Sequence, residues 1–598
     1  MRNPAKDKKN VSIIVSFDVF DTLITRNTVE SKDIFLLMQK NISSKKEYLK
    51  FSQFLQNNFA EIRYNTECFV RENLRINKKK REITLNDIYD CIQLNFNLSD
   101  EQVDILKTIE LQTEKENLVP ISQNIERLKQ YVENGIKVIL ISDMYFSENV
   151  VRNFLVRFDS IFDKIEIYIS SDYNLKKSDG SIYKYIKEQL KPKTWLHIGD
   201  NLKSDFLIPI INGIKVKRYK PIQLKKYENY ILSKSGNNIN IKLSIGCGKN
   251  LRLLHENKKY QFGCSFAGPI LYNYVKWVLE QCLSRKINHL YFVARDGYIL
   301  QKIADIIIKN ENLDLITHYF YISRLACKNI QQSNKENLLE LYLNQQINLS
   351  EECIAFIDIN GSGKTQDYVT EILNKNRNCK TYNFYLHNKT TVKQNDLSKK
   401  IFMIPMVDTQ DWIEILCRCP QGQTIGFLEN TEGIVIPEKE QINSKTLIDW
   451  GIEDYMNGIY DYTKAVMKIE KQNNINISNI DQFLILNDYI HKFLDKETAD
   501  IIGSIPFATS GKEKNIKEVA PKINFINLLF PKYNDYISIS RCNKFIKPLM
   551  MIFRSFINIR TYLYINKDKK LAYVKLGKFK INIDKIIWNI KKDGDYND

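Results

Sequence analysis

The sequence predicts a multidomain α/β protein: a doubly wound parallel sheet with an all-helical insert, a second doubly wound α/β domain, and a mostly helical, basic C-terminal region. Three observations carry that expectation. Short apolar, β-branched runs recur between stretches of helical spacing, first within residues 11–198 and again within 289–386. About a hundred residues of helical spacing with a single proline, Pro120, separate the first two runs. The chain also has 598 residues, room for three or four domains at roughly 100–200 residues each.

The first run, Val11–Phe17, is β-branched and bounded by charge, the pattern of a strand buried on both faces. Lys137–Ile141, Lys164–Ile169 and Thr194–Ile198 repeat it, so residues 1–220 read as one α/β domain with its helical insert over about 27–131. Residues 221–250 hold no sustained period and read as a linker. His289–Ala294, His318–Ser323, Cys353–Ile359 and Thr381–Leu386 are strand-like with helical text between them, which places a second α/β domain over 251–435. Residues 436–598 are polar, basic and mostly helical in spacing.

Composition narrows the class. A hydrophobic fraction of 43% and a charged fraction of 26% exclude wholesale disorder. Eleven scattered cysteines, with only Cys417 and Cys419 close together and no histidine at metal-ligand spacing, fit a reduced cytoplasmic protein. The basic N-terminus followed by an apolar run mimics a signal peptide, but Asp18 and Asp21 interrupt it and no small-residue cleavage site follows. No run of about 20 apolar residues predicts a membrane span. Residues 541–598 carry 14 basic and 5 acidic side chains of a total excess of +18. A helix from Pro548 through Arg560 with basic residues around an apolar side would suit peripheral contact with the inner membrane face, or packing on its own domain. Tyr573–Ile581 reads as a basic hairpin; nucleic acid is disfavoured, since no nucleic-acid module is visible.

Four strand ends in the first domain carry chemistry. Asp18 and Asp21 follow the first strand, and two carboxylates at that spacing can share a crevice as nucleophile and acid/base. Ser142 follows the second and can hold a phosphate oxygen at a helix N-terminus. Lys177, in Leu175–Gly180, can neutralise a transferring phosphoryl group. Asp200 and Asp205 follow the strand Thr194–Ile198 and offer the hard oxygens that Mg²⁺ takes. Each alone is equally a turn or a helix cap. Four in this order at the carboxyl edge of a parallel sheet, where such sheets bind ligands, point to one phosphotransfer site.

Phe17-Asp18-Val19-Phe20-Asp21-Thr22-Leu23, Ser142, Lys177 and Gly199-Asp200 with Asp205 resemble the four motifs of the haloacid dehalogenase (HAD) superfamily. The resemblance covers residues 11 to about 220. It implies a Rossmann-like core, an inserted helical cap and a Mg²⁺-dependent phosphohydrolase working through an aspartyl-phosphate. In that reading Asp18 is the nucleophile and Asp21 protonates the leaving oxygen, then activates water. Thr22, Ser142 and Lys177 hold the phosphoryl oxygens. Asp18, Asp200 and the backbone carbonyl of Asp21 bind the metal, with Asp205 supporting it. Dehalogenation is disfavoured, because those members lack the second aspartate found here as Asp21. A cap that closes over small molecules points to a small phosphorylated metabolite.

In the second domain, strand ends carry Arg295 and Asp296, Arg324, and Asp358-Ile359-Asn360-Gly361-Ser362-Gly363-Lys364-Thr365-Gln366. In a parallel sheet these turns share one edge, where the arginines suit a phosphate or carboxylate. Tight turns and structural ion pairs are the alternative. GSGKT lacks the first glycine of a P-loop, whose place Asp358 takes, and Gly246-Cys247-Gly248 lacks the third glycine of a dinucleotide fingerprint, replaced by Leu251. This region resembles, more loosely, the C-terminal part of HAD-type proteins from bacterial surface-polysaccharide clusters; Asn360 and Gly361 depart from that pattern. The resemblance implies a sugar or polyol phosphate substrate in capsule or lipopolysaccharide synthesis, with glycosyltransferase partners. A phosphoryl or glycosyl transferase, or a scaffold with a vestigial HAD site, is the alternative.

Overall fold

The structure is a computed structural model; it describes residues 12–44, 50–77, 81–348, 350–375, 377–387, 398–404, 412–442, 444–507, 516–520, 522, 535–541, 561–566, 571–576 and 579–582. Two compact units divide it: residues 1–407, 424–438 and 451–486 form one, and 408–423, 439–450 and 487–598 the other.

The first unit opens with β1 (Ile13–Phe17), β2 (Ile24–Arg26), the helices α1 (Asp33–Ser44), α2 (Gln53–Asn77), α3 (Leu85–Phe96) and α4 (Asp100–Asn117), then β3 (Leu118–Pro120) and α5 (Ser122–Glu133). It continues through β4 (Lys137–Ser142), α6 (Glu148–Val156), β5 (Glu166–Ile169), β6 (Thr194–Gly199) and β7 (Lys215–Arg218). Five of these strands form a parallel sheet in the order β5-β4-β1-β6-β7. Alternation along the strands fills both faces, as a period of two requires. Val15, Phe17, Val138 and Leu140 enter one apolar cluster, while Ile14, Ile139 and Ile141 enter the other.

α1–α4 are the insert. β2 and β3 pair antiparallel and form the two-stranded ribbon through which the chain leaves the core and returns. Thr84 and Ser99 start α3 and α4 with reciprocal caps to Asp87 and Gln102. The expected insert, 27–131, overshoots. α5 lays Ile125 and Leu128 into the cluster that holds Phe17 and Leu140, so the insert ends at Asn117.

The expected linker over 221–250 is helical instead. Lys226–Ser235 and Ile239–Leu251 are both helices, and the second buries all but three of its thirteen residues. A helix enclosed on every side has no polar stripe, and without one no period shows in the sequence. Its closest approach is to the insert's ribbon: a Cβ on Gly246 would stand 1.9 Å from the Asn27 carbonyl oxygen.

The second sheet contains β8 (His289–Val293), β9 (Ile316–Phe320), β10 (Cys353–Ile357), β11 (Lys380–His387) and β12 (Ser398–Ile404), all parallel in the order β12-β11-β10-β8-β9. A two-stranded ribbon, β13 (Thr424–Glu429) with β14 (Val435–Lys439), packs Phe427 and Val435 into its core. The long helix Ile452–Asn473 completes this unit's core with Tyr455, Tyr462 and Val466.

The region 436–598, expected to be mostly helical, holds the helices Ser444–Trp450, Ile452–Asn473, Ile480–Phe493, Lys496–Gly503 and Asp535–Ser540. The other unit takes only part of that region; it holds Trp412–Leu416, Ser444–Trp450 and Lys496–Gly503, and also β15 (Pro506–Phe507) paired with β16 (Lys517–Glu518). β17 (Thr561–Asn566), β18 (Leu571–Leu576) and β19 (Phe579–Asn582) make an antiparallel sheet, whose last two strands are the basic hairpin. The amphipathic segment Pro548–Arg560 lies outside the described residues. Among those residues no helix is long and apolar enough to cross a membrane.

Candidate active site

The carboxyl edge of the first sheet gathers the residues singled out from the sequence. Asp18 leaves β1 with its amide still bonded to the Ile198 carbonyl of β6 at 2.8 Å, which fixes it at the centre of the sheet. Lys177 is 2% exposed. Its Nζ donates to Asp18 Oδ1 and, at 2.7 Å, to Asp205 Oδ1. Asp143, one residue past Ser142, accepts the Lys177 amide at 2.8 Å and so ties the turn after β4 to the lysine loop. Thr22 does not reach the cavity that holds these groups; its hydroxyl donates to Asp18 Oδ2 at 3.2 Å. Ser142 and Asp21 do line that cavity, and Asp21 accepts the Thr25 hydroxyl at 2.8 Å.

Asp18, Asp200 and Asp205 each bring one carboxylate oxygen within 4.8 Å of the others. Such a set of hard oxygen donors fits Mg²⁺. The three are not equivalent. Asp205 spends Oδ1 on both Lys177 and His197 and Oδ2 on the Asn201 amide, whereas Asp18 gives one bond from each oxygen, to Lys177 and to Thr22, and keeps a lone pair on each that could face an ion beside Asp200. Asn201 begins the wide turn Leu202–Leu207 by accepting the amides of Lys203 and Ser204, and that turn delivers Asp205. Gly199 is required beneath it, since a Cβ there would lie 2.5 Å from the Asp205 Cβ.

The charges are unevenly stabilised. Burial pushes the Asp18 carboxyl up to about 8 against the pull of Lys177. Burial, with Asp21 and Asp205 nearby, pushes Asp200 up to about 6. Burial also opposes ionisation of Asp205, but Lys177 and His197 outweigh it and hold that carboxyl below its usual range. For Lys177, burial is likewise outweighed by Asp18 and Asp205, which hold the ammonium well above its ordinary pKa.

Sequence reasoning missed the support behind Asp205. Trp195 Nε1 donates to Ser16 Oγ at 2.7 Å, and because the Asp205 carboxylate can only accept from the far ring nitrogen, the Ser16 hydroxyl donates to His197 Nδ1 at 2.7 Å. The proton of His197 then sits on Nε2, which faces Asp205 Oδ1 at 3.2 Å. Burial holds this imidazole below its ordinary pKa, in keeping with a neutral ring. The available signal was Ser16 and His197 themselves, polar residues within otherwise apolar strands.

The insert and the core line a cavity of about 370 Å³ over the aspartates. Its far wall is a charged lattice from the insert. Arg63, fully buried, holds Glu110 through Nε and Nη2 at 2.8 and 2.7 Å. Tyr145, from the turn after β4, donates to the same Glu110 at 3.2 Å, so core and insert share one carboxylate. Arg26 pairs with Glu114, and Arg71 bridges Glu67 and Glu82.

Three solved structures each match about a third of the chain. A HAD phosphatase from Thermococcus onnurineus is 16% identical, with 36% of this chain and 90% of that one covered at a TM-score of 0.25. A HAD-type hydrolase from Bacillus subtilis, crystallised with magnesium, gives 14%, 36%, 90% and 0.25. A 2-haloacid dehalogenase from Pseudomonas syringae pv. tomato gives 13%, 35%, 87% and 0.26. No family model and no curated protein matches the chain.

In the second sheet the chain reverses its winding between β8 and β10, which lie side by side with β9 outside β8. Arg295 and Asp296 occupy the turn after β8, and Asp358 to Gly363 the turn after β10. Asp358 and Gln366 come together, with Nε2 donating to Oδ2 at 3.2 Å. Asn360 is buried and bridges to His387 at the end of β11. Arg324 stands exposed at the start of the helix Arg324–Ser333.

Proposed function

We propose that the first α/β domain is a Mg²⁺-dependent HAD-type phosphohydrolase that cleaves a small sugar or polyol phosphate through an aspartyl-phosphate. The observation that carries it is the placement of Asp18. It leaves the central strand, bonds Lys177, and shares a 4.8 Å group with Asp200 and Asp205 beneath a cap-walled cavity.

In this reading an oxygen of Asp18 attacks phosphorus as the phosphorus–oxygen bond to the substrate breaks, and Asp21 gives its proton to the departing alkoxide. Asp21 then takes a proton from water, which attacks the aspartyl-phosphate and releases inorganic phosphate. Lys177 and Ser142 hold phosphoryl oxygens, and Thr22 orients the nucleophile. Asp18 and Asp200 would hold Mg²⁺, which neutralises repulsion between an anionic nucleophile and an anionic substrate. The carboxylate of Glu67 and the hydroxyl of Tyr64 on the cavity wall suit a substrate rich in hydroxyl groups. That supports the sugar or polyol, and with it a place in bacterial surface-polysaccharide synthesis in the cytoplasm beside glycosyltransferases. The basic C-terminal region supports peripheral contact with the inner membrane face. The turns flanking the β8/β10 reversal, with Arg295, Asp296, Asp358, Asn360 and Gln366, and Arg324 after the neighbouring β9, read as a second ligand-binding edge, because open α/β sheets bind ligands at such a reversal.

Phosphate release from a panel of sugar, polyol and nucleotide monophosphates tests the reading. The wild type with Mg²⁺ is expected to turn over at least one sugar or polyol phosphate. Asp18→Asn, or chelator, should lower that rate by about a thousandfold or more with the fold retained. Full activity in Asp18→Asn would remove the mechanism.

A further inference from the structure

The turn after β4 carries a carboxylate that the phosphohydrolase reading leaves without a chemical task. Its residues are pinned one after another. Ser142 is 2% exposed at the strand end, the Met144 amide donates to Ser170 Oγ at 2.9 Å, and Tyr145 donates to Glu110 at 3.2 Å. Asp143, between them, is held through Oδ1, which accepts the Lys177 amide at 2.8 Å, so the direction of its carboxylate is fixed. Yet Asp143 is exposed, and it lines the cavity over the aspartates. Among the described residues nothing donates to its Oδ2.

A carboxylate at this place does not suit the phosphate itself. In the proposed mechanism Ser142, the residue before it, and Lys177, whose amide it accepts, both hold phosphoryl oxygens. An ionised carboxylate is an acceptor only, so beside them it repels a phosphate oxygen but welcomes a donor elsewhere on the same molecule. Because two phosphate-holding residues flank Asp143, that donor must stand close to the ester. The Lys177 charge also acts on Asp143. It would repel a substrate ammonium there, whereas a hydroxyl carries no charge to repel.

We propose that Asp143 is a specificity-determining residue of this site, whose Oδ2 accepts a hydrogen bond from a hydroxyl on the carbon next to the phosphate-bearing carbon. The substrate class is then the monophosphate of a vicinal diol. A polyol phosphate or a sugar 1-phosphate meets that demand; a pyranose 6-phosphate does not, since its neighbouring carbon carries the ring oxygen. The inference rests on the phosphohydrolase reading and narrows it. A carboxylate locked by a backbone amide is pre-organised for this task, because no side-chain freedom is lost when the hydroxyl arrives.

Calorimetric titrations of the full chain carrying Asp18→Asn, with Mg²⁺ present, read binding without turnover. The probes are glycerol 3-phosphate, propane-1,2-diol 1-phosphate and propane-1,3-diol 1-phosphate. The first two keep the neighbouring hydroxyl and the third lacks it, so they are expected to bind about tenfold or more tighter than the third. Adding Asp143→Asn keeps an acceptor for the Lys177 amide but turns the charged oxygen in the cavity into a neutral amide nitrogen, and the preference should fall to about threefold or less. Adding Asp143→Ala should erase it, with the unfolding temperature measured alongside to separate a lost contact from a lost fold. Equal binding of the three probes, saturable binding of none, tighter binding of 2-aminoethyl phosphate than of the two hydroxyl-bearing probes, or a preference left intact by both Asp143 substitutions would each overturn the proposal. Phosphate release by the wild type is scored separately: its absence removes the phosphohydrolase reading, while the order of binding still decides what Asp143 recognises.

Discussion

Lys177 sets the charge balance of the candidate site, since one ammonium serves two buried carboxylates that would otherwise face each other. Removing one partner of a buried ion pair costs about 3–5 kcal/mol, because the remaining charge loses both water and counter-ion. Lys177→Met is therefore expected to lower the urea unfolding free energy by about that amount at neutral pH, and to abolish the proposed phosphatase activity with it. Wild-type stability in that variant would show that the pair contributes nothing net. The pH dependence follows from the directions of the shifts. Asp18 at about 8 and Asp200 at about 6 lie above their unfolded values near 4, so the folded state holds their protons more tightly. Their contribution is complete below pH 4 and is lost as pH rises towards 8. Asp205 runs the other way, and its contribution disappears only in acid. The metal-free protein should thus melt at progressively lower temperature between pH 5 and 8. Mg²⁺, which needs the ionised carboxylates, should restore more at pH 8 than at pH 5. Scanning calorimetry with chelator and with Mg²⁺ measures both slopes, and a Mg²⁺ increment independent of pH would contradict the assignment.

At the scale of elements, the helix Ile239–Leu251 shows what a sequence conceals. β1, β4, β5 and β6 were legible because strands buried on both faces are continuous apolar runs, and the turns at their ends carried the aspartates, Ser142 and Lys177. The same rule hid β7, an edge strand whose KVKR alternates charge, and this helix, which has no polar face to mark its period. The Ser16–His197 pair was hidden differently: its members stand 181 positions apart, and no local pattern joins them. What the helix does is also non-local. Lys242 pairs with Asp33 at the start of α1, and Asn250 holds the Arg26 carbonyl at the end of β2. Gly246 allows that approach by having no side chain. Gly246→Ala would force backbone against backbone, and overpacking of that kind costs about 1–3 kcal/mol or more. A loss in that range is expected in urea titrations, whereas an unchanged midpoint would mean that the helix can withdraw from the ribbon freely.

At the scale of the whole molecule, the first α/β domain and the late helices of the same unit meet at the root of the insert. Asn117, the last residue of α4, and Asn473, the last of the helix Ile452–Asn473, exchange amide hydrogen bonds at 2.9 and 3.1 Å across 356 positions. Both are buried, so neither amide can turn to water if the other is removed. An orphaned buried amide costs about 1–3 kcal/mol, whereas losing both partners together costs less than the sum. A double-mutant cycle of Asn117→Ala and Asn473→Ala should accordingly show a coupling of about 1 kcal/mol or more. If the root of the insert and the late helix unfold as one cooperative body, each single substitution shifts the same denaturation transition by a similar amount, whether followed by tryptophan fluorescence or by far-ultraviolet circular dichroism. Additive substitutions acting on separate transitions would instead make the residues up to about 220 an independent folding unit, as their sequence alone suggests. The contacts at Gly246, Asn250 and Asn473 favour the cooperative outcome, because each buries backbone or amide groups of the insert's root against residues more than 200 positions away in the chain.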